Sequence, residues 1–417
     1  MNNNSIDPSN LSPDGSISVS SGSPLIQFQI GSRNSALIGR SVRFNGKIKF
    51  TQADGTPITN AGVLLPNLGI YSIFDQLNIS SAIGGSDIET IQTYNRYLAS
   101  AYKSTIGLQK MCNGQLIENI GSTNTYMGQQ IFNAKNGALA NELPFSLELP
   151  CGLFSSGDVP LSRDSTGGLV ISLSLSPNAN IFYGLTDAGK ANANGCEYTL
   201  SDVNLTFQDR ALSSEESSMK SMMYNSIQTH YRTITSSHSS INLNLGASRV
   251  LSIFMNVIPQ ENINNYNFNS LETPIFTDKD GNADLVSRVQ FLKGGRLVPF
   301  QFNIESHNGD NHQLSTQIAR YFKQCFTNNI LTASEAYRSQ VNTPNNTELS
   351  PVDTSFNWGI GVNFDNLSNL GFNYSTDEFG ILLDKLSANP KDHNAYIFVK
   401  SVNMINFNGN GSITIET

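Results

Sequence analysis

The stretch Val42-Arg43-Phe44-Asn45-Gly46-Lys47-Ile48-Lys49-Phe50 decides the fold class, because apolar and polar side chains alternate along it. Alternation with a period of two puts successive side chains on opposite faces, so this segment is predicted to be a β-strand with one buried face. Similar segments recur along the chain, separated by turn-forming Gly, Pro, Asn and Asp. The further predicted strands are Leu68–Ile79, Phe145–Leu149, Leu169–Leu175, Tyr198–Phe207, Tyr231–Ile234, Ile241–Leu245, Val250–Val257, Val286–Phe302 with a turn or bulge at Gly294-Gly295, Trp358–Phe364, Tyr396–Asn403 and Ser412–Ile415.

Helices are predicted in the connections between these strands. Ser86-Asp87-Ile88-Glu89 has the form of a capping box, and apolar residues at helical spacing follow it through Tyr102. Ser213 with Glu216 forms a second capping box, which indicates a short helix or a linker. Two more helices are predicted, at Leu314–Phe326 and at Ser375–Leu386.

The two halves of the chain share one order of elements: strands, a helix, more strands and a closing strand. Many short strands with turn signals are typical of sandwiches, and the jelly roll packs eight strands into two sheets. We therefore predict an all-β fold of two tandem eight-stranded jelly rolls with short helices in the loops. The predicted units are a flexible N-terminal arm (1–24), a first jelly roll (25–210), a linker (211–227) and a second jelly roll (228–417).

The arm is predicted to be mobile because residues 1–24 are mostly Asn, Ser, Gly and Pro. The whole chain of 417 residues has a formal net charge of −8, and only 14% of its residues are charged, against roughly 25% in soluble domains. A surface with so little charge suits a protein that packs against copies of itself, but it equally suits a secreted β-protein with a polar surface. No apolar stretch long enough to span a bilayer and no signal peptide is visible, so folding in a cytoplasm is expected.

No motif for catalysis or cofactor binding stands out. Asp278-Lys279-Asp280-Gly281-Asn282-Ala283-Asp284 gathers the oxygen ligands that calcium prefers, but its Gly comes too early for an EF-hand and no Glu closes it. A turn is the favoured interpretation there, and calcium binding is left open. Ser217-Ser218-Met219-Lys220 matches S-x-x-K without a following K-T-G, and the five histidines have no metal-ligand spacing. The four cysteines are far apart, which favours reduced thiols over disulfides or zinc: Cys112, Cys151, Cys196 and Cys325. We predict no enzyme activity, no catalytic or metal-binding residues and no cofactor.

One cluster of charge is a candidate interaction site. It consists of five basic residues close together in the sequence: Arg33, Arg40, Arg43, Lys47 and Lys49. Arg43, Lys47 and Lys49 lie on the polar face of the strand quoted above. The simpler interpretation is a solvated strand face with ion pairs. The functional interpretation is a surface that faces the inside of an assembly and meets anionic lipid headgroups or genome phosphate.

Three passages carry a resemblance to a known family. They are LPFSLELPCGLF (143–154) leading through VPL (159–161) into LVISLSL (169–175), FLKGGRLVPF (291–300), and AYIFVK (395–400) with GSITI (411–415). Together they resemble passages of the double jelly-roll major capsid proteins of tailless icosahedral viruses. That lineage includes membrane-containing phages, virophages and adenovirus hexon.

The resemblance implies a homotrimer whose six jelly rolls form a pseudo-hexagonal capsomer of an icosahedral shell. It implies neighbouring capsomers, penton or minor capsid proteins, and internal membrane lipid or genome as partners, with synthesis in the host cytoplasm and a final location in the virion. Two other function classes stay open: a carbohydrate-binding or carbohydrate-cleaving β-sandwich, and a secreted adhesin or surface-layer protein. The single tryptophan, Trp358, weighs against the first, and the missing signal peptide weighs against the second.

Overall fold

The computed structural model describes residues 1–10, 17–18, 24–56, 58, 63–66, 68–105, 129–130, 143–184, 187–271, 276–281, 284, 286–298, 303–305, 359–364 and 371–417. The predicted helix Leu314–Phe326 and the residue Trp358 lie outside these ranges. None of the helices within them is long and apolar enough to cross a membrane.

Strands dominate the first half of the chain. They are β1 (Asn2–Ile6), β2 (Ile17–Ser18), β3 (Leu25–Gly31), β4 (Ser35–Leu37), β5 (Arg43–Gln52), β6 (Val63–Leu65), β7 (Phe74–Ser81), β8 (Asp87–Gln92), β9 (Gln129–Gln130), β10 (Leu143–Glu148), β11 (Val159–Pro160), β12 (Gly168–Leu175), β13 (Tyr183–Gly184) and β14 (Cys196–Ala211). The helices are α1 (Tyr94–Thr105), α2 (Gly152–Ser156) and α3 (Asp187–Ala193), with short 3-10 turns at Gly39–Ser41, Gly69–Ile73 and Asn178–Asn180.

The second half follows a single-turn helix, α4 (Ser214–Ser217). Its strands are β15 (Ser221–Ile234), β16 (His238–Leu243), β17 (Val250–Pro259), β18 (Val286–Lys293), β19 (Arg296–Leu297), β20 (Asn303–Glu305), β21 (Ile360–Asn363), β22 (Phe379–Lys385), β23 (His393–Phe407) and β24 (Ile413–Glu416), with a 3-10 turn at Gln260–Asn262. As predicted, Gly294-Gly295 forms the turn between β18 and β19, and both residues have positive φ angles, which glycine adopts without strain.

The two halves have the same topology. In the first half one sheet has the order β1-β14-β5-β10, and the facing sheet has the order β3-β12-β7-β8. In the second half the orders are β15-β23-β17-β21 and β16-β22-β18, with β19 and β20 both paired to β18. The pairs are antiparallel, and each closing strand, β14 or β23, lies between the first and third principal strands of its half. This is the jelly roll in each half, so the predicted all-β fold of two tandem jelly rolls is confirmed.

The core of the first jelly roll lies between its two sheets, as the alternation in β5 predicts. Phe44, Ile48 and Phe50 are buried, while the intervening residues are partly exposed. The ring of Phe44 lies 5.8 Å from that of Phe28 and 5.4 Å from that of Phe74, both on the facing sheet. Apolar side chains from opposite sheets therefore interdigitate, which is the packing expected of a β-sandwich.

The prediction of a flexible arm over residues 1–24 is wrong at its start. Asn2–Ile6 pairs with β14, from Asn2 opposite Asp209 to Ile6 opposite Leu205, and supplies the first strand of the first jelly roll. Strand pairing uses main-chain groups, so a run of Asn and Ser can pair without apolar side chains to bury. The predicted linker 211–227 is also too long, because β15 already begins at Ser221.

Two predicted helices are strands at least in part. Asp87–Gln92 is β8, and helix α1 begins at Tyr94, so Ser86–Glu89 is not a capping box. Phe379–Lys385 is β22, with Phe379, Ile381 and Leu383 buried. The apolar residues of the second segment fit a period of two as well as a helical period. Ile88 and Ile91 lie three residues apart and fit a helical period only, and pairing with a neighbouring strand makes both segments strands.

Candidate functional site: the seam between the jelly rolls

The two jelly rolls meet along a surface that we call the seam. On one side it consists of β8, α1 and α2, and on the other of β15, β17 and β23. Strand β15 is an edge strand, because its described pairing is with β23 alone. An edge strand exposes unpaired main-chain groups that invite association with other chains. Side chains of the first jelly roll bind those groups in place of another strand.

Glu89 is the central residue of the seam. It lies on β8, is 2% exposed, and its carboxylate accepts three main-chain hydrogen bonds. Oε1 accepts from the N–H of Gly152 at 3.0 Å and from that of Ile227 at 2.9 Å, and Oε2 accepts from the N–H of Leu153 at 2.8 Å. One side chain therefore joins the start of α2 in the first jelly roll to the edge of β15 in the second.

The buried position of Glu89 changes its acid–base behaviour. Burial raises the pKa of the Glu89 carboxyl to about 7, and the three N–H groups that bind the carboxylate oppose this rise. Cys151 lies next to it, is buried as a free thiol, and its Sγ accepts from the N–H of Phe154 at 3.4 Å. Burial, with the neighbouring Glu89 charge, raises the pKa of this thiol, which keeps it protonated and unreactive.

Further polar contacts extend the junction along β15. The N–H of Asn225 donates to Oγ of Ser156 at 2.8 Å, and Oγ1 of Thr229 donates to the carbonyl of Gln92 at 2.8 Å. The approach is close at Gly152, where a Cβ atom would lie 2.1 Å from the carbonyl oxygen of Asn225. Glycine is therefore required at position 152 by the proximity of β15.

Helix α1 fills the apolar part of the seam. The ring of Tyr97 lies 5.6 Å from that of Phe398 and 6.3 Å from that of Phe254, and the latter two stack at 4.8 Å. Beside them, Nδ2 of the buried Asn256 donates to Oγ of Ser100 at 2.8 Å. Strand β17 and residues 393–399 of β23 are thus buried on both faces, one against β16, β18 and β22 and the other against the first jelly roll.

The end of the chain also joins the first jelly roll. Oγ of Ser81 donates to the carbonyl of Gly411 at 3.1 Å. The apolar core of the first jelly roll includes buried residues from β15, β23 and β24: Tyr224, Ile227, Ile405, Phe407 and Ile413. The two halves therefore share buried apolar surface and do not meet only at a polar contact.

The connection between the halves is held by charge. The predicted capping box is confirmed, since Oγ of Ser213 accepts from the N–H of Glu216 and the Glu216 carboxylate accepts from the N–H of Ser213. Arg210 lies 2.7 Å from Asp158 and 2.5 Å from Glu216. Hydrogen bonds from Arg210 lower the pKa of Glu216 to about 2, so the connection keeps its ion pairs over the whole neutral range.

The five basic residues predicted as a cluster lie on three segments of the chain. Arg43, Lys47 and Lys49 share the outer face of β5, whereas Arg40 lies in the preceding 3-10 turn and Arg33 lies before β4. Arg33 binds Asp209 at 3.4 Å and Asn4 at 3.2 Å, and Lys47 binds Asp202 at 2.6 Å.

Arg43 also has partners within the chain. It donates to Oγ and to the carbonyl oxygen of Ser146, at 2.8 and 2.6 Å. These contacts agree with the simpler interpretation, a strand face with ion pairs, and they leave Arg40 and Lys49 without a side-chain partner among the described residues.

Asp284, the last residue of the segment considered for calcium, pairs with an ammonium group. Nζ of Lys385 lies 3.3 Å from Oδ2 of Asp284, and both side chains are fully buried. Oδ1 of Asp284 accepts from the N–H of Ser387 at 2.8 Å, whereas Oδ2 is in the ion pair with Lys385 without forming a hydrogen bond among the described residues. A cation bound to Asp284 would lie next to the positive charge of Lys385, and like charges repel strongly inside a protein. No group of three or more His, Cys, Asp or Glu side chains that could hold a metal occurs among the described residues.

Comparison of structures, but not of sequences, finds proteins that are similar to this chain. No family model and no curated protein matches the sequence. The chain is similar to the Sputnik virophage structure, with a TM-score of 0.58 and 12% identity over 98% of this chain and 89% of that one. It is similar to the Faustovirus major capsid protein, with a TM-score of 0.57 and 10% identity over 97% and 90% of the two chains. It is similar to the PBCV-1 virus capsid structure, with a TM-score of 0.55 and 12% identity over 100% and 97%.

Identities this low show a shared fold and nothing more. The coverage of both chains is nearly complete, so the likeness includes both jelly rolls and their order along the chain. The resemblance to double jelly-roll capsid proteins that the sequence passages indicated is therefore confirmed at the level of the fold.

Proposed function

We propose that this protein is a major capsid protein that forms the shell of an icosahedral virus. The observation that carries the proposal is the seam, because buried apolar and polar contacts fix two jelly rolls of identical topology as one building block. A shell subunit needs this rigidity, since small changes of angle within each copy would add up over many copies. The similar structures named above are viral capsid proteins, which supports the same function.

The chemistry of the described residues fits a mechanical role. The buried titratable groups bind partners inside the chain: Glu89 binds main-chain N–H groups, and Lys385 binds Asp284. The two buried cysteines are held in the neutral form by burial, which raises their pKa. The proposed function is therefore structural and not enzymatic. No feature of the described residues favours the carbohydrate-binding or adhesin alternatives.

The proposed assembly unit is a homotrimer. Three copies around one axis bring six jelly rolls of the same topology into a ring, and such a ring can contact six neighbouring capsomers. The proposed partners are therefore further copies of this chain, then penton or minor capsid proteins, and internal lipid or genome. The proposed location is the virion, after synthesis in the host cytoplasm.

We further propose that the outer face of β5 is directed towards the interior of the particle. Arg43, Lys47 and Lys49 lie on this face and would contribute at most about 1 kcal/mol each to contact with anionic headgroups or phosphate. Because Lys47 is already paired with Asp202, its contribution to this contact is smaller, and Lys49 is expected to contribute most of the binding free energy.

The orientation is tested with the triple variant Arg43→Gln, Lys47→Gln, Lys49→Gln. Trimers are expected to form normally, while particle assembly, followed by light scattering at several salt concentrations, is expected to be impaired. A matched control removes the same charge from exposed residues elsewhere: Arg232, Lys220 and Lys279. Equal assembly of both triple variants would refute the proposed orientation.

A further inference from the structure

The first strand of each jelly roll occupies the same place, at the outer edge of a sheet beside the closing strand. In the second jelly roll this strand is β15, and its outer edge is covered by the first jelly roll. In the first jelly roll it is β1, which pairs with β14 and has no further strand partner among the described residues. The two edges can therefore be compared residue by residue.

The covered edge shows what such an edge requires. The N–H groups of Asn225 and Ile227, two residues apart, point away from β23 and donate to Ser156 and Glu89 of the first jelly roll. Acceptor oxygens from a neighbouring jelly roll thus replace the missing strand. One acceptor lies on the fifth principal strand, β8, and the other in the connection between the sixth and seventh, β10 and β12.

The register of β1 shows which of its groups face outward. The main-chain groups of Gln208 point away from β1, because its N–H donates to Oγ of Ser41 and its carbonyl accepts from the N–H of Ile38. Asn3 is opposite Gln208, and in an antiparallel pair the main-chain groups of such a residue also point away from the partner strand. Ser5 follows two residues later and has the same orientation.

The outward main-chain N–H groups of β1, at Asn3 and Ser5, match those of β15, at Asn225 and Ile227, in number and spacing. Asn3 and Ser5 are exposed, and no described residue accepts from their N–H groups. Strand β1 carries no charged side chain between Asn2 and Ile6, so nothing on it repels an acceptor oxygen. An uncovered edge of this kind is a site for association with another chain.

We propose that the outer edge of β1 binds a second copy of this chain, through acceptor oxygens of residues 371–378, which lie in the described part of the connection between β21 and β22 in that copy. This connection corresponds to the one between β10 and β12, which holds Ser156. It carries the exposed residues Ser375 and Glu378, whose side-chain oxygens can accept hydrogen bonds. The contact between copies would then repeat the seam within each chain. This inference rests on the proposed assembly of the chain into trimers.

Proline variants test the edge itself. Asn3→Pro and Ser5→Pro together remove the two outward N–H groups and leave the main-chain pairing with β14 intact, because edge strands accept proline where the N–H faces outward. Of the side-chain contacts with β14, the change at Asn3 removes the hydrogen bond that its Oδ1 accepts from Gln208. The dissociation constant of the trimer, measured by mass photometry, is expected to rise roughly 10-fold to 100-fold. The control Asn4→Pro removes an inward N–H and is expected to destabilise the jelly roll itself. Amide exchange on the unmodified protein, which needs no variant, is expected to be roughly 100-fold slower at Asn3 and Ser5 in the trimer than in the dissociated chain.

Cross-linking tests the partner surface. Chains with Asn3→Cys and chains with Ser375→Cys are mixed, assembled and treated with a short bis-maleimide. Covalent dimers in the mixture, beyond those from either variant alone, support the proposal. The proposed edge contact is overturned if the proline variant forms trimers as tightly as the unmodified chain, or if the mixture of cysteine variants gives no additional dimers. Either result leaves the proposed trimer itself standing. A chain that stays monomeric at all concentrations overturns both this contact and the proposed assembly.

Discussion

Replacing Glu89 by glutamine tests the electrostatics of the seam. The Glu89 carboxyl has a pKa of about 7 in the folded protein, against an ordinary value of 4.5. Its pKa is raised on folding, so protonation stabilises the folded state at low pH, and this contribution is lost as the pH rises through 7. From the two values, the contribution is roughly 2–3 kcal/mol at pH 5 and close to zero at pH 8.

The glutamine side chain of this variant resembles the protonated carboxyl of Glu89 but cannot titrate. The free energy of unfolding of the unmodified protein, relative to Glu89→Gln, is therefore expected to fall by roughly 2–3 kcal/mol between pH 5 and pH 8. Urea unfolding followed by circular dichroism, at one protein concentration, measures this difference. Other titrating groups cancel because they are present in both proteins.

The control is Glu215→Gln, the same change at an exposed residue, measured in the same way. A relative stability that does not change with pH would refute the reasoning. A change of the opposite sign would mean that the three N–H groups outweigh burial and hold the pKa of Glu89 below 4.5.

Three further changes probe other contacts of the fold by urea unfolding. Gly152→Ala is expected to lower the free energy of unfolding by about 3 kcal/mol, because the added Cβ would meet the carbonyl of Asn225 at 2.1 Å. In the control Gly31→Ala the added Cβ meets nothing within 4 Å, so the change should stay within about 0.5 kcal/mol. Equal effects of the two changes would mean that β15 does not approach Gly152 this closely. Lys385→Met is expected to lower the free energy of unfolding by about 3–5 kcal/mol, because it leaves the buried Asp284 charge uncompensated. The double variant with Asp284→Asn should recover at least half of this loss. A double variant as unstable as Lys385→Met would argue against the ion pair. Ser213→Ala is expected to lower the free energy of unfolding by about 1 kcal/mol, because helix α4 loses its N-terminal cap. Ser218→Ala, at the other end of that helix, should leave the stability nearly unchanged. Equal effects of the two changes would contradict the capping role of Ser213.

The sequence predicts the architecture well, because the alternation of apolar and polar residues identifies most strands without knowledge of their partners. The burial of Phe44, Ile48 and Phe50 follows directly from the period of two in β5. Prediction fails where strand pairing overrides the local pattern. Ile88 and Ile91 are three residues apart, which indicates a helix, and only pairing with β7 makes Asp87–Gln92 a strand.

The seam could not be predicted from the sequence for a related reason. Glu89 looks like a helix-capping residue, and nothing local indicates that Gly152 and Ile227, 63 and 138 positions away, supply its hydrogen bonds. Strand β1 was missed because main-chain pairing leaves no apolar pattern in Asn2–Ser5. The basic residues on β5 were correctly assigned to one face, but their partners Asp202 and Ser146 lie on neighbouring strands that a single strand pattern does not reveal.

The proposed capsid function is tested most directly by the mass and shape of the species that the purified full-length chain forms. Mass photometry with cryo-electron microscopy of the same sample gives both. The proposed function predicts a trimer with six jelly-roll lobes in a pseudo-hexagonal ring, which assembles into closed shells as concentration rises. A chain that remains a folded monomer at neutral pH and ordinary salt, whatever its concentration, would contradict it.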